Sequence, residues 1–140
     1  MDVSTGQDTL SGRMTTPGNM ARRILVVDDE AVVCDSIRKV LALDQHEVEA
    51  AASGQGALAA FQTGKFDLIV IDYEMPGMKG DKLAAAIKAL APQQPIIMMT
   101  AYGEALRFSG EFPLAVDLVM SKPFDLQELR KTVRQTTTKP

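Results

Sequence analysis

Short, nearly uninterrupted apolar runs recur along the chain and predict the strands of a buried sheet. Four of them occupy residues 24–27, 68–71, 96–99 and 118–120, and a weaker run at Glu47–Ala51 predicts a short second strand. Apolar runs without alternation are typical of strands that are covered on both faces. The pattern therefore indicates a sheet that lies between two layers of other elements.

Between these runs, apolar residues recur every three or four positions, which is the spacing of one face of a helix. Four such faces are present: Val33, Ile37, Val40 and Leu41; Leu58 and Phe61; Leu83, Ile87 and Leu90; and Leu126, Leu129 and Val133. Strands that alternate with helices predict right-handed crossovers and a parallel sheet. The expected fold class is α/β.

Capping signals predict where the helices begin and end. Ser53 can cap the second helix, and Gly64 is expected to stop it in the usual C-terminal manner, as a left-handed glycine. Pro92 ends the third helix. Asp125 and Glu128 form a capping-box pattern at the start of the last one.

The connection between the fourth and fifth strands departs from this regular pattern. A helix is expected within residues 103–116, yet Gly110 and Pro113 fall inside that window. Proline in a helix interior costs about 3 kcal/mol or more. We therefore expect an irregular, shortened or displaced fourth helix.

Polar residues directly follow four of the apolar runs. Asp28 and Asp29 follow the first, Asp72 the third, Thr100 the fourth, and Lys122 lies just beyond the fifth. If the strands are parallel, all these side chains meet at one edge of the sheet. That edge is where open α/β sheets bind ligands and carry out chemistry.

Three carboxylates at one edge repel one another, and such a cluster usually indicates a bound cation. Ligands that are all oxygen suit Mg²⁺, with Mn²⁺ as a possible substitute. Lys122 adds a cation at the same edge, and the Thr100 hydroxyl can donate to a phosphoryl oxygen. Together these groups describe acceptance of a phosphoryl group on a carboxylate, as an acyl phosphate.

Composition narrows the class of protein further. The chain has 140 residues and a formal net charge of -3, with 15 Lys and Arg against 18 Asp and Glu, which does not suit direct binding to nucleic acid. The single cysteine excludes an internal disulfide and suits a reducing cytoplasm. No run approaches the roughly 18 apolar residues of a membrane span. We expect a flexible leader at 1–20, one folded domain at 21–136 and a polar tail at 137–140.

Two further residues invite a chemical role but have simpler interpretations. His46 stands between a helix and a strand and is interpreted as a solvated loop residue. Cys34 lies close to the core face of the first helix and is interpreted as a small buried hydrophobe.

Four motifs lie at the strand ends: Ile24-Leu25-Val26-Val27-Asp28-Asp29-Glu30, Asp72-Tyr73-Glu74-Met75-Pro76-Gly77-Met78, Met99-Thr100-Ala101-Tyr102 and Ser121-Lys122-Pro123-Phe124. As a set, they resemble the motifs of the receiver domain of two-component response regulators. They occur in the family's order and spacing from about Arg22 to Arg134. The resemblance implies a flavodoxin-like, doubly wound sheet of five parallel strands in the order 2-1-3-4-5.

The resemblance also implies a role for each site residue. Asp72 resembles the phosphoacceptor. Asp28 and Asp29 resemble the pair that holds Mg²⁺, together with Asp72 and the backbone carbonyl of Glu74. Thr100 and Ala101 resemble the groups that contact the phosphoryl oxygens after switching, and Lys122 resembles the lysine that contacts the phosphoryl group.

Three finer expectations come from the same resemblance. Glu74 and Tyr102 occupy the positions that influence how long the phosphoryl group lasts. The peptide bond between Lys122 and Pro123 is expected to be cis. Many receivers carry Tyr or Phe three residues before the lysine, where this chain has Val119, so the usual aromatic switch is missing.

The implied partners are a histidine kinase or a histidine phosphotransfer protein, and a downstream protein that senses the conformational change. Two alternatives stay open on the sequence. One is a receiver-like protein-binding module that works without phosphate. The other is a Mg²⁺-dependent aspartyl phosphatase, although the nucleophile of the haloacid-dehalogenase hydrolases follows the first strand, which is not where Asp72 lies.

The irregular fourth helix can be tested by amide hydrogen exchange. Because Pro113 lacks an N–H and Gly110 weakens helix formation, we expect fast exchange over much of residues 103–116 compared with the helix predicted after residue 125. A continuous block of protected amides through Pro113 would contradict this expectation.

Overall fold

The structure is a computed structural model that describes residues 21–102 and 116–137. Its elements in chain order are β1 (Arg23–Val27), α1 (Ala31–Ala42), β2 (Glu47–Ala51), α2 (Gly54–Thr63), β3 (Leu68–Asp72), α3 (Gly80–Leu90), β4 (Ile96–Thr100), β5 (Leu118–Ser121) and α4 (Leu126–Thr137). The expected leader, the expected irregular helix before Val116 and residues 138–140 lie outside the described residues.

The five strands form one parallel sheet in the order β2-β1-β3-β4-β5. This confirms the predicted fold class and strand order. The order reverses at β1, because β2 lies on one side of β1 and β3 on the other. The carboxyl ends of β1 and β3 therefore open side by side at the point where such sheets form a crevice.

Successive side chains of each central strand point to opposite faces and build two separate cores. One core lies under α2 and α3 and contains Leu25, Val27, Ile69, Ile71, Met98, Leu83 and Ile87. The other lies under α1 and α4 and contains Ile24, Val26, Leu68, Val70, Met99, Ile37, Leu41, Leu129 and Val133. The apolar residues of β1, β3 and β4 lack alternation because both faces are buried.

The capping predictions hold at two helix starts and need one correction at a helix end. Ser53 Oγ accepts a hydrogen bond from the N–H of Gly56 at 3.0 Å, and Asp125 Oδ1 accepts one from the N–H of Glu128 at 2.7 Å. Gly64 does end α2, but its φ of -134° and ψ of 173° are extended, so the left-handed prediction was wrong. A Cβ at Gly64 would lie 3.2 Å from Arg23 Nη1, at the flexible end of that side chain, and 3.4 Å from the carbonyl oxygen of Ala60.

The predicted helix faces are confirmed except at one position. Leu83 and Ile87 are fully buried, but the side chain of Leu90 is 59% exposed. Leu90 is the last residue of α3, and the buried stripe of this helix ends one turn earlier at Ile87. The spacing of apolar residues along the chain does not show where a helix extends beyond the surface that it covers.

The interpretation of His46 as a solvated residue was wrong, because its side chain is only 8% exposed. Gln45 adopts a left-handed φ of 68° and turns the chain back after α1. His46 Nδ1 then accepts a hydrogen bond at 3.0 Å from the N–H of Arg22, at the entry to β1. Burial lowers the pKa of His46, so the neutral ring is the form that fits.

A partly buried ion pair, formed by the buried Asp44 and the partly exposed Arg130, ties the end of α1 to α4 beside this histidine. Asp44 Oδ1 accepts a hydrogen bond from Arg130 Nη2 at 2.6 Å, and Asp44 Oδ2 accepts one from Arg130 Nε at 3.0 Å. The hydrogen bonds from Arg130 lower the pKa of the Asp44 carboxyl below its ordinary value. Cys34 lies on the buried face of α1, as expected, and burial raises the pKa of its thiol.

The buried histidine predicts a loss of stability in mild acid. The folded state holds the pKa of His46 below its unfolded value of about 6.5, so the unfolded chain binds the extra proton more readily. This contribution is present above pH about 6.5 and is lost as the pH falls toward the lower folded pKa. We expect the free energy of unfolding in urea to fall more between pH 7.5 and pH 5.5 for the parent than for His46→Asn, whose side-chain oxygen can still accept from Arg22.

The comparison between the parent and His46→Asn isolates the contribution of His46 to the pH dependence of stability. Asp44 titrates below its ordinary range and so outside this pH window, and groups that both proteins share cancel in the difference. An identical pH dependence for parent and His46→Asn would show that the ring does not stay neutral in the fold.

Candidate functional site

Backbone hydrogen bonds at the carboxyl edge of the sheet set the relative positions of the site residues. The N–H of Tyr73 donates to the carbonyl of Met99 at 2.8 Å, and the N–H of Lys122 donates to the carbonyl of Thr100 at 2.8 Å. On the other side, the N–H of Asp28 donates to the carbonyl of Ala51 at 3.1 Å. Every predicted site residue is thus adjacent to a strand end that is held in register.

Asp28, Asp29 and Asp72 come together as the sequence predicted. Each can offer a carboxylate oxygen, and the three oxygens lie within 4.8 Å of one another. Asp28 and Asp72 are buried, with 1% and 3% exposure, whereas Asp29 is exposed. Burial raises the pKa of Asp28, and the neighbouring charge of Asp72 raises it further.

Lys122 reaches this carboxylate cluster from β5. Its Nζ donates a hydrogen bond to Asp72 Oδ1 at 2.9 Å and lies 3.9 Å from Asp28 Oδ2. Partial burial lowers the pKa of Lys122, but the hydrogen bond to Asp72 and the surrounding carboxylates outweigh it and leave the pKa above its ordinary value. The ammonium charge is therefore retained beside the carboxylates.

One buried oxygen of the cluster has no hydrogen-bond partner among the residues that the structure describes. Asp28 Oδ1 accepts from the N–H of Glu30 at 2.9 Å, but the buried Asp28 Oδ2 accepts no hydrogen bond from residues 21–102 or 116–137. An unpaired buried carboxylate oxygen is costly unless a cation balances it. The orphaned oxygen and the purely oxygen donor set fit Mg²⁺.

Thr100 and Ala101 lie at the end of β4, and both contact the side chain of Glu74. The Thr100 hydroxyl donates to Glu74 Oε2 at 2.6 Å, and the N–H of Ala101 donates to Glu74 Oε1 at 3.4 Å. The N–H of Tyr102 donates to Thr100 Oγ1 at 3.0 Å, while the Tyr102 side chain is 58% exposed. Sequence reasoning singled out these four residues but missed the contact, which depends on the rotamer of Glu74.

Three further observations concern residues near the site. The peptide bond between Lys122 and Pro123 is cis. A groove of about 470 Å³ opens beside Lys122 between the start of α1 and the loop before α4. Its lining is mostly apolar and includes Val32, Val33, Ile37, Pro123, Phe124 and Leu126. Val119 is buried in the core under α2 and α3.

Comparisons with known proteins agree with the motifs at the strand ends. The family model described as "Response regulator receiver domain" matches residues 24–134. The regulatory protein VanRB of Enterococcus faecalis is 33% identical over 114 residues, which cover 81% of this chain and 51% of that protein. The chain thus spans about half the length of this curated relative.

Two other matches cover nearly the whole of the similar protein. Sporulation initiation phosphotransferase F of Bacillus subtilis is 30% identical over 83% of this chain and 94% of its own length. The crystal structure of the response regulator protein TrrA from Thermotoga maritima, in complex with Mg²⁺ and BeF, is 33% identical. This structural match covers 82% of this chain and 98% of the TrrA chain, with a TM-score of 0.74. Within the described ranges, no helix is long and apolar enough to cross a membrane.

Gly80 packs closely against the backbone of Asp72 and Tyr73, which predicts that a larger residue at this position destabilises the protein. A Cβ at Gly80 would lie 2.7 Å from the backbone oxygen of Asp72 and 2.8 Å from Tyr73 Cα. We expect Gly80→Ala to lower the free energy of unfolding in urea by about 1 to 3 kcal/mol, because α3 must move away from β3. Gly80 is the first residue of α3, so the gain of about 1 kcal/mol that alanine brings in a helix interior offsets little of this loss.

Gly56→Ala in α2 is the matched control. A Cβ at Gly56 would meet only Ser53 Oγ within 4 Å, at 3.2 Å, so the change should be much smaller. Equal or greater stability of Gly80→Ala compared with the parent would contradict the close packing of α3 on β3.

Proposed function

The chain belongs to the response regulator receiver domain family, and from that membership we propose that Asp72 is its phosphoacceptor. The observation that carries the proposal is the placement of Asp72. Its carboxylate lies at the buried end of the central strand β3, beside two further carboxylates and 2.9 Å from the ammonium of Lys122. The proposed donor is a histidine kinase or a histidine phosphotransfer protein.

In the proposed reaction, an Asp72 carboxylate oxygen attacks the phosphorus of the donor. A bond forms between this oxygen and phosphorus, and the bond between phosphorus and the donor's nitrogen breaks, with its electron pair leaving on the donor imidazole. The product is an acyl phosphate on Asp72. Hydrolysis reverses the modification when water attacks the same phosphorus and Asp72 leaves as a carboxylate.

Lys122 and the acid pair have separate tasks in this scheme. The Lys122 ammonium already contacts Asp72 Oδ1 and stabilises the negative charge that the phosphoryl group brings. Asp28, Asp29, Asp72 and the backbone carbonyl of Glu74 would hold Mg²⁺, or Mn²⁺ in its place. When bound, the metal supplies positive charge against the phosphoryl oxygens.

The donor protein must approach the carboxyl edge of the sheet to bring its phosphorus to Asp72. The apolar groove beside Lys122 lies on that approach, and the side chain of Val32 at its rim is 76% exposed. We place the contact with the donor there. The proposal includes a cytoplasmic location, where such a kinase would act, and output through a protein that senses the modified edge.

Receiver domains are phosphoacceptors and are not generally classed as enzymes. The self-catalysed steps are therefore part of the proposal: Asp72 takes a phosphoryl group from a small donor and later loses it to water. Both steps use the residues named above, and neither needs a substrate pocket for a phosphate ester.

Intact-mass analysis tests the assignment of Asp72. We expect incubation with Mg²⁺ and acetyl phosphate to add one phosphoryl group to the parent and none to Asp72→Asn, which lacks the carboxylate nucleophile. A chelator should abolish the adduct, and Mn²⁺ should restore it. Asp35→Asn, which removes an exposed acid on α1, is the matched control and should be modified like the parent.

Titration with beryllofluoride and Mg²⁺ resolves a negative result. If no adduct forms but beryllofluoride binds, the phosphoryl site is intact and a protein donor is required. If neither occurs in a folded protein, the phosphoacceptor proposal is wrong, and a module that works without phosphate is favoured. An equal adduct on Asp72→Asn would move the modification to another residue.

A further inference from the structure

The carboxylate of Glu74 holds both of the groups that a phosphoryl group on Asp72 would need. Thr100 Oγ1 donates to Glu74 Oε2 at 2.6 Å, which is a short, charge-assisted hydrogen bond, and the N–H of Ala101 points to Glu74 Oε1 at 3.4 Å. The N–H of Tyr102 donates to Thr100 Oγ1 and so occupies an acceptor position of the hydroxyl. The hydroxyl proton is thereby directed at Glu74.

A hydroxyl has a single proton to donate. While Thr100 donates to Glu74, it cannot donate to a phosphoryl oxygen, and the N–H of Ala101 is restricted in the same way. Thr100 is fully buried, so it cannot turn to water to make up for a lost partner. The two states of this edge therefore exclude each other: either Glu74 or the phosphoryl group takes these donors.

Electrostatic repulsion would also favour the displacement of Glu74 from Thr100 and Ala101. Phosphorylation of Asp72 adds negative charge two residues from Glu74, whose own N–H donates to Asp72 Oδ1 at 3.3 Å. A negative charge on Asp72 and the Glu74 carboxylate repel each other, most strongly where water is excluded. The phosphorylated site would thus push the Glu74 carboxylate away while it attracts the donors that Glu74 holds.

We propose that the Glu74 carboxylate is a built-in competitor of the phosphoryl group, which occupies the Thr100 hydroxyl and the Ala101 N–H until phosphorylation displaces it. This inference rests on the proposed function and adds a regulation of the same site. An intramolecular ligand of this kind lowers the apparent affinity for any external phosphoryl mimic, because its contacts must break before the mimic binds. Glu74 is a positioning residue in this scheme, since it acts through Thr100.

The test measures the dissociation constant of beryllofluoride, with Mg²⁺ present, by titration calorimetry. Glu74→Ala removes the competitor and should bind about tenfold more tightly than the parent, the effect of one lost charge-assisted hydrogen bond. Glu74→Gln keeps a neutral acceptor and should bind about threefold more tightly. The proposed metal contact is with the backbone carbonyl of Glu74, so both variants retain it.

Glu30→Gln is the matched control for charge. Glu30 is an exposed acid at the same edge and makes no hydrogen bond to Thr100 among the described residues. Its replacement should change the dissociation constant by less than about twofold. An equal gain from Glu30→Gln and Glu74→Gln would show that bulk negative charge, and not the contact, limits binding.

A double-mutant cycle separates the contact from a general structural effect. In a Thr100→Ala background, Glu74→Ala should change the dissociation constant by less than about twofold, because the short hydroxyl contact is gone and only the long 3.4 Å contact with the Ala101 N–H is left to release. A full tenfold gain in that background would overturn the inference. The amide signal of Ala101 in the metal-free protein gives an independent readout, and Glu74→Gln should shift it.

The outcomes distinguish this inference from the function on which it rests. If the parent binds beryllofluoride and Glu74→Ala binds it equally or more weakly, Glu74 is no competitor, but the phosphoacceptor proposal stands. If folded parent and variants all fail to bind, the phosphoacceptor proposal fails and the inference fails with it.

Discussion

The repulsion among three carboxylates within 4.8 Å of one another is the constraint on which this structure depends. A solvated loop would let such groups move apart. Here Asp28 and Asp72 each extend a strand whose apolar side chains are fully buried on both faces of the sheet, and register hydrogen bonds hold the strand ends together. The burial of Ile24–Val27 and Leu68–Ile71 thus does more than stabilise the fold, because it fixes the positions of charges that would otherwise separate.

The carboxylates of the site differ in how their negative charge is balanced. Lys122 contacts Asp72 directly but stays 3.9 Å from Asp28 Oδ2, which has no hydrogen bond within the described part of the chain. A lysine alone therefore does not satisfy the cluster, which is why a divalent cation fits there. Glu74 brings a fourth acid to the same edge, and its carboxylate lies against the neutral donors of Thr100 and Ala101. A surplus of acid groups at this edge thus accompanies the contact of Glu74 with Thr100 and Ala101.

Much of this could be predicted from the sequence because its causes are local. Strands such as Leu68–Asp72 are marked by continuous apolar runs, and parallel strands bring Asp28, Asp72 and Thr100 to one edge without any knowledge of packing. The features that sequence reasoning predicted wrongly or did not find have a different cause. The burial of His46 depends on a left-handed turn at Gln45 and on a hydrogen bond to Arg22, which is 24 residues away. The exposure of Leu90 and the contact of Glu74 with Thr100 likewise depend on tertiary surroundings and on a rotamer, which spacing along the chain does not encode.

The two ends of the sheet also differ in how their charges are balanced. At the amino end, Asp44 accepts two hydrogen bonds from Arg130, and His46 accepts one from the backbone, so burial there is matched by partners. At the carboxyl end, Asp28 Oδ2 is buried and has no hydrogen-bond partner among the described residues. Unsatisfied buried charge is expensive, and a fold tolerates it where the missing partner is a ligand. The Asp44–Arg130 pair ties α1 to α4 at the end of the sheet opposite Asp72, so this contact contributes to stability without taking part in the charge balance of the carboxyl edge.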